Sequence, residues 1–330
     1  MTIAVLGAGA WGTALAVAWS GESGVSLYCR SREQYDALRT ARENARYLPG
    51  VAIPANIRFT ASVEDALAGA TLAVLAVPVA GLREMLRLLG GRTAPVDIVW
   101  VCKGFEAGSG KLPHQVTADE LPAGWRYGVL SGPSFADEVA RGLPAAVTLA
   151  SLDGDFAGAA ARTLHTGRLR VYSSEDLVGV EIGGAVKNVI AIAAGICDGL
   201  RLGNSARAAL ITRGLTEISR LGLRLGGRLD TFMGLSGIGD LALTCTSDLS
   251  RNRRVGLALA AGQPLAQALS GLGHVAEGVS TAREVQRMAD SLGVDMPITG
   301  AVCAVLDGEV SAQEAVETLL QREQKPERLH

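Results

Sequence analysis

The chain has 330 residues, enough for two domains, and its 48% hydrophobic content is nowhere gathered into the uninterrupted apolar run of ~18 residues that crosses a bilayer. Thirty-one basic and 33 acidic residues leave a formal charge of −2, which argues against a nucleic-acid or anionic-membrane surface. Five scattered cysteines with no C-x-x-C, and four histidines far apart, argue against disulfides and a metal site, so a soluble cytoplasmic protein without metal is expected.

Ile3, Val5 and Leu6 predict a strand buried on both faces. Gly7, Gly9 and Gly12 follow at G-x-G-x-x-G spacing, and Thr13 to Trp19 reads as a helix. Gly7 permits the tight turn, Gly9 lets a pyrophosphate approach the backbone, and Gly12 lets helix and strand pack closely. The unpaired amides and positive dipole end of the helix then hold the phosphates. With 41 glycines in the chain the spacing alone is weak, but a strand before it and a helix after it make it specific. Ile3 to Ala18 could also pass for the core of a secretory signal ending at Ala16-Val17-Ala18. No basic leader precedes it and three glycines interrupt it, so that reading is set aside.

Val25 to Cys29 predicts the second strand, ending in Arg30-Ser31-Arg32. An acidic residue at this place would hold the ribose 2′-hydroxyl of NAD. Arg30 and Arg32 fit either a solvated basic loop or an anchor for the 2′-phosphate of NADP, and the latter is the expectation taken. A helix follows over Gln34 to Asn44, then a loop over Tyr47 to Ile57 with Pro49 and Pro54. A short strand over Ile57 to Thr60, a helix from Val63, a strand over Thr71 to Val77 and a helix over Val79 to Leu89 come next. Strands over Asp97 to Cys102, Arg126 to Leu130, Ala146 to Ala150 and Leu169 to Tyr172 complete a doubly wound sheet.

From about Asp176 strand-like segments become rare. Val178 to Cys197 is a long apolar stretch, and helices are predicted over 205–225, 241–247, 251–260, 265–269, 281–291, 298–306 and 312–321. Ser311 and Glu314 have capping-box spacing, and Pro297 suits a first helical turn. The polar tail from Glu323 is expected to fray. The fold class is therefore α/β: a Rossmann-type doubly wound sheet over 1–177, then an all-helical domain over 178–330.

Ligands of open parallel sheets bind beyond the carboxyl ends of the strands. Cys102 is followed there by Lys103-Gly104, and Leu130 by Ser131-Gly132-Pro133-Ser134. Lys103 is either a solvated loop lysine or a functional one. In Gly183-Gly184-Ala185-Val186-Lys187-Asn188, Lys187 is the one charge between Glu181 and Asp198. It lies off the stripe of Val186, Val189, Ile190, Ala193 and Cys197, beside the small side chains of Ala191 and Ala194. It either snorkels to solvent or has its pKa lowered by desolvation, which suits acid–base work. Gly234 to Asp240 is a glycine-rich turn ending in a carboxylate, which is either a helix cap or functional. Ser250-Arg251-Asn252-Arg253-Arg254 opens a helix as a phosphate site or as a basic exposed end, the latter accounting for at least one of its arginines.

Taken in order, these pieces resemble the bacterial NAD(P)-dependent sn-glycerol-3-phosphate dehydrogenases. The resemblance is carried by Gly7 to Gly12, Lys103-Gly104, Ser131 to Ser134, Gly183 to Ile190, Thr212 to Leu215, Gly237 to Asp240, Leu243 to Thr246, Ser250 to Arg254 and Glu277-Gly278. It implies a cytoplasmic homodimer that reduces dihydroxyacetone phosphate to sn-glycerol 3-phosphate for phospholipid synthesis, with NADPH preferred and NADH usable. It also implies Lys187 as proton donor and acceptor, assisted by Lys103 and Asp240. Lys103, Gly132, Ser134, Lys187, Asp240, Ser250, Arg251 and Asn252 match substrate positions, and Asn188 adjoins them. Ala10, Trp11, Arg30, Lys103, Ala136, Arg251, Val275 and Glu277 match cofactor positions, with the three glycines and Arg32 beside them. Many members have serine where this chain has Ala10, and Gly271 to Val275 is less familiar. The alternatives weighed are a β-hydroxyacid or 6-phosphogluconate-type dehydrogenase and a non-catalytic NADP-binding redox sensor.

Overall fold

The computed structural model describes residues 1–92, 94–271 and 276–323. The chain forms two units, Met1–Cys102 with Pro113–Leu177, and Lys103–Leu112 with Val178–His330.

The first unit has central strands built of short runs of Val, Ile, Leu and Ala, as burial on both faces demands, and polar or half-exposed peripheral strands. They are β1 (Thr2–Leu6), β2 (Gly24–Tyr28), β3 (Glu43–Asn44), β4 (Leu48–Ala52), β5 (Arg58–Thr60), β6 (Leu72–Leu75), β7 (Asp97–Trp100), β8 (Tyr127–Ser131), β9 (Ala145–Ala150) and β10 (Leu169–Ser174). Its helices are α1 (Ala10–Trp19), α2 (Arg32–Ala41), α3 (Val63–Leu67), α4 (Val79–Gly90), α5 (Pro113–Glu120), α6 (Ala136–Ala140) and α7 (Gly154–Leu164). The main sheet runs β10-β9-β8-β7-β6-β1-β2-β5. β1 lies between β2 and β6, where the strand order reverses, and in such sheets that switch point is where ligands bind. Ile3, Val5, Leu27, Val74 and Val99 form the heart of the core.

Three features depart from the expected pattern. β8 and β9 pair antiparallel, Val129 opposite Ala150, because the connection 132–144 holds only the short α6 and turns the chain straight back. The helix expected to reach Asn44 ends at Ala41, and Glu43–Asn44 pairs with a strand inside the expected loop. Arg42 takes a left-handed φ of 52° and its guanidinium donates to the carbonyls of Pro54, Ala55 and Ile57, while Asn44 donates to Ala8 O and Thr13 Oγ1. These tertiary bonds override local helix propensity. Helix α5 reads Pro-His-Gln-Val-Thr-Ala-Asp-Glu, too polar for apolar periodicity to reveal it.

The second unit comprises α8 (Leu177–Gly199), α9 (Asn204–Arg224), α10 (Leu229–Phe232), α11 (Asp240–Thr246), α12 (Arg251–Ala260), α13 (Leu265–Ser270), α14 (Glu277–Leu292), α15 (Pro297–Leu306) and α16 (Ala312–Leu320). The capping box at Ser311 and Glu314 and the proline in the first turn of α15 are both present. By length and composition α8 could cross a membrane, but 94% of its apolar window is buried inside the protein, so it is a core helix. Its backbone touches that of α12. A Cβ on Gly195 would stand 2.0 Å from Arg253 O, and one on Gly256 2.0 Å from Ile192 O. Residues 103–112, expected with the sheet domain, pack with the helices instead, because Phe105 and Leu112 are buried in the helical core.

Candidate active site

In the sheet unit the glycines have the expected mechanics. Gly7 has a φ of +128°, and a Cβ there would lie 2.4 Å from Ala76 O. A Cβ on Gly12 would lie 2.0 Å from Gly7 O, so strand and helix approach only because it is absent. At Gly9 nothing stands within 4 Å, leaving the backbone open at the start of α1. α1 begins at Ala10, three residues earlier than expected, so Ala10, Trp11 and Gly12 form the first turn, whose amides helix geometry leaves unpaired. Gln34 and Asn44 both donate to Ala8 O, at 2.6 and 3.0 Å, fixing the loop.

Arg30 is exposed just beyond β2 and makes no ion pair among the described residues. Arg32 is partly engaged, 3.3 Å from Asp36 and stacked 4.8 Å from the Tyr35 ring centroid. An open glycine edge, a fresh helix start and an unpaired arginine at the neighbouring strand end fit the pyrophosphate and 2′-phosphate of a dinucleotide. Beyond β8, Gly132 has a φ of +142° and a Cβ there would meet Val147 Cα at 2.9 Å. Ser134 Oγ donates to Gly132 O at 3.1 Å, and Ala136 opens α6.

The helical unit gathers the ionisable residues. Gly183 lets the turn Leu235–Gly239 rest on α8, since a Cβ there would lie 2.2 Å from Ser236 O. That turn is a π-helical segment broken at Gly237 (φ −105°, ψ −106°), and it delivers Asp240 to the start of α11. Asp240 Oδ1 accepts from Lys187 and Oδ2 accepts from Lys103 Nζ at 2.6 Å. Lys187 Nζ also donates to Thr244 Oγ1 at 2.8 Å, and Thr244 Oγ1 donates to Asp240 O at 2.6 Å. Lys187 is 7% exposed and Asp240 1%, so Lys187 does not snorkel to solvent and Asp240 is not a helix cap. Burial lowers the Lys187 pKa to about 8; Asp240 opposes the shift and Lys103 adds to it.

The start of α12 sorts its residues by role. Ser250 caps the helix, accepting from Arg253 N–H at 3.2 Å, and Arg251 is exposed. Arg253 is structural: it pairs with Asp198 at 2.7 Å and Asp248 at 2.6 Å. Asn252 donates to Asn188 Oδ1 at 2.9 Å and accepts from Gly278 N–H at 3.0 Å, which joins α8, α12 and α14 beside Lys187. A Cβ on Gly278 would press within 2.6 Å of Asn188 O. Glu277 opens α14, and burial raises its carboxyl pKa against the pull of Arg251, Lys103 and Lys187. Val275 lies outside the described residues.

The structure thus brings together Lys103, Lys187, Asp240, Asn188, Asn252 and Glu277 from widely separated places in the chain. Thr244 was given no role by the sequence, although it stands in the Leu243 to Thr246 run. Its partner lies 57 residues away, and no spacing rule reaches that far. Among the described residues no group of three or more His, Cys, Asp or Glu side chains could hold a metal ion, and all five cysteines are buried and free.

Comparison with known proteins identifies the family. The profile for the NAD-dependent glycerol-3-phosphate dehydrogenase N-terminus matches residues 2–157, and that for the C-terminus matches residues 176–317. The glycerol-3-phosphate dehydrogenase [NAD(P)+] of Nitrosospira multiformis is 59% identical over 99% of both chains, and that of Dechloromonas aromatica is likewise 59% identical over 99% of both. The crystal structure of glycerol-3-phosphate dehydrogenase from Coxiella burnetii superposes with a TM-score of 0.92 at 41% identity, covering 97% of this chain and 99% of that one. With both halves matched and near-complete relatives on either side, the chain belongs to the NAD-dependent glycerol-3-phosphate dehydrogenase family.

Proposed function

We infer that this protein catalyses the NAD(P)H-dependent reduction of dihydroxyacetone phosphate to sn-glycerol 3-phosphate, reversibly, with Lys187 as the general acid and base. The observation that carries the reading is the buried Lys187–Asp240–Lys103 cluster, in which burial lowers the Lys187 pKa to about 8. A dinucleotide sensor without catalysis has no use for two lysines on one buried carboxylate.

The hydride for C2 of the ketone would come from the nicotinamide of NAD(P)H when it is bound. Lys187 gives a proton to the ketone oxygen as charge develops there. Of its three N–H donors, Asp240 and Thr244 occupy two and leave one for substrate. A pKa of about 8 keeps the amine mostly protonated at neutral pH yet easily deprotonated in the reverse direction. Lys103 adds a second ammonium beside the developing oxyanion, in a site where little water screens it. Asp240 orients both lysines and offsets one of their charges. Arg251, with Ser250 and Asn252 at the start of α12, takes the substrate phosphate, and Asn188 steadies Asn252. Holding that remote phosphate fixes C2 in place, so binding energy lowers the barrier.

Gly7, Gly9, Ala10, Trp11 and Gly12 hold the pyrophosphate, and Arg30, with Arg32 beside it, favours NADPH over NADH. Gly132, Ser134, Ala136, Val275 and Glu277 complete the ligand contacts. On this reading 1–177 is the dinucleotide domain and 178–330 the substrate domain, with Lys103 contributed to the latter. The protein acts as a cytoplasmic homodimer supplying the glycerol unit of phospholipids, a reading that rests on the family resemblance and on cysteines kept as free thiols.

The decisive assay follows NADPH absorbance. Oxidation is expected with dihydroxyacetone phosphate and not with unphosphorylated dihydroxyacetone at equal concentration. Equal rates with both ketones would remove the phosphate site from the argument.

A further inference from the structure

We infer that Glu284 is a positioning residue for this chemistry, holding the Lys103 loop so that the Lys103 ammonium stays on Asp240. The inference rests on the roles given above to Lys187 and Lys103. Glu284 lies on α14 with a side chain only 6% exposed, and it pairs with Arg287 one turn on. Its Oε1 also accepts the Gly108 N–H at 3.1 Å. A Cβ on Gly110 would stand 3.5 Å from its Oε2. Gly108 (φ +84°) and Gly110 (φ +65°) are both left-handed, so the loop backbone bends around this carboxylate.

The loop beyond Lys103 is tied together by its own hydrogen bonds. Glu106 N–H donates to Lys111 O and Gly110 N–H to Glu106 O, each at 2.9 Å. Ser109 Oγ donates to the Glu106 carboxylate at 2.6 Å and accepts from Lys111 N–H at 3.2 Å. Phe105 and Leu112 anchor its two ends in the helical core, and Glu284 ties down its tip. Glu284 also lies two helical turns beyond Glu277, on the same face of α14. One helix therefore both presents a carboxyl toward Lys103, Lys187 and Arg251 and clamps the loop that supplies Lys103. A buried carboxylate is a costly residue for packing alone, and its loop partner is a backbone amide.

The clamp has an electrostatic signature. Among the described residues the groups facing Lys187 are Asp240, Thr244 and Cys245 from α11, Lys103 from the loop and Glu277 from α14, on which Arg251 of α12 also acts. Lys103 helps to lower the Lys187 pKa, so a retreating Lys103 lets that pKa rise. Removing the Glu284 charge by itself would act the other way, since losing a carboxylate lowers a lysine pKa. The direction of the shift separates the two.

The experiment measures the pH profile of kcat/KM for glycerol 3-phosphate oxidation in Glu284→Ala, Glu284→Asp and Glu284→Gln, with Tm recorded for each. In Glu284→Ala and Glu284→Asp the inflection is expected to move up by about 0.5 pH unit or more, with kcat down roughly tenfold. Glu284→Gln keeps an acceptor for Gly108 N–H but loses the charge, so its inflection is expected to stay at the wild-type pH or move slightly down, not up. If Glu284→Ala does not fold, the contrast between Asp and Gln carries the test. An inflection of the Ala and Asp variants that stays or moves down, with only Tm lowered, overturns the inference. So does a Gln variant that behaves as the Asp variant does. Full turnover in Lys187→Met would instead sink the underlying reading of Lys187, whereas an inactive Lys187→Met with an unmoved inflection in the Glu284 variants sinks this inference alone.

Discussion

Asp240 serves two lysines at once, accepting from Lys187 on one oxygen and from Lys103, at 2.6 Å, on the other. One buried carboxylate facing two ammonium groups leaves an excess positive charge in a desolvated place. That excess favours an anionic phosphorylated substrate and a developing oxyanion. On the proposed reading it also suits Lys187 to give up its proton, because burial and Lys103 both act on it.

The first prediction is the pH dependence. Burial lowers the Lys187 pKa from 10.5 to about 8. Oxidation of glycerol 3-phosphate needs the free amine, so its kcat/KM is expected to rise with pH and level off above about pH 8. Reduction of dihydroxyacetone phosphate needs the ammonium, so it holds at neutral pH and falls as pH rises past about 8. Lys187→Met removes the acid, with turnover expected to fall ~10²- to 10⁴-fold while cofactor binding changes little. Steady-state rates across pH 6 to roughly 10 check both signs, and a Met variant within a few-fold of wild type would show that another group moves the proton.

Cofactor preference is expected to turn on Arg30. Its guanidinium is exposed beyond β2 and makes no ion pair among the described residues, so it is available to a 2′-phosphate. Arg30→Asp replaces an attraction by a repulsion, and the NADPH-to-NADH preference is expected to drop by an amount worth ~2–4 kcal/mol. The ratio of specificity constants for the two cofactors, in wild type and variant, is the measurement. A ratio that does not move assigns Arg30 to solvent.

Two neighbouring arginines are expected to fail differently. Arg253 is 8% exposed and bridges Asp198 and Asp248, so Arg253→Ala leaves Asp198 without its buried partner. Its cost is expected in stability, roughly 2–4 kcal/mol in denaturant unfolding. Arg251 is exposed, and Arg251→Ala is expected to leave Tm nearly unchanged while raising KM for substrate or cofactor. Matching effects on stability and KM in the two variants would refute this division.

What the sequence by itself determined was whatever is local. The strand, three glycines and helix at the amino end form one continuous segment, and the backbone sterics of Gly7 and Gly12 are set within it and by Ala76. The change from alternating strands and helices to helices alone was legible in apolar periodicity, and the ordered motifs carried the family. Where apolar periodicity was absent, as in α5, the sequence was silent. Where distant side chains bonded the backbone, as Arg42 and Asn44 do, local propensity lost.

Only the tertiary structure decided which polar residues share a site. Lys103 and Asp240 are 137 positions apart, and Lys187 and Asp240 are 53 apart. No periodicity carries over such distances. Their meeting depends on backbone approach, α8 against the turn at Ser236 through Gly183, and on the transfer of 103–112 to the helical core through Phe105 and Leu112. The same packing separated Arg253, spent on Asp198, from Arg251, which stays exposed. A lysine becomes an acid near neutral pH only when its surroundings remove its water, and those surroundings are assembled from the whole fold.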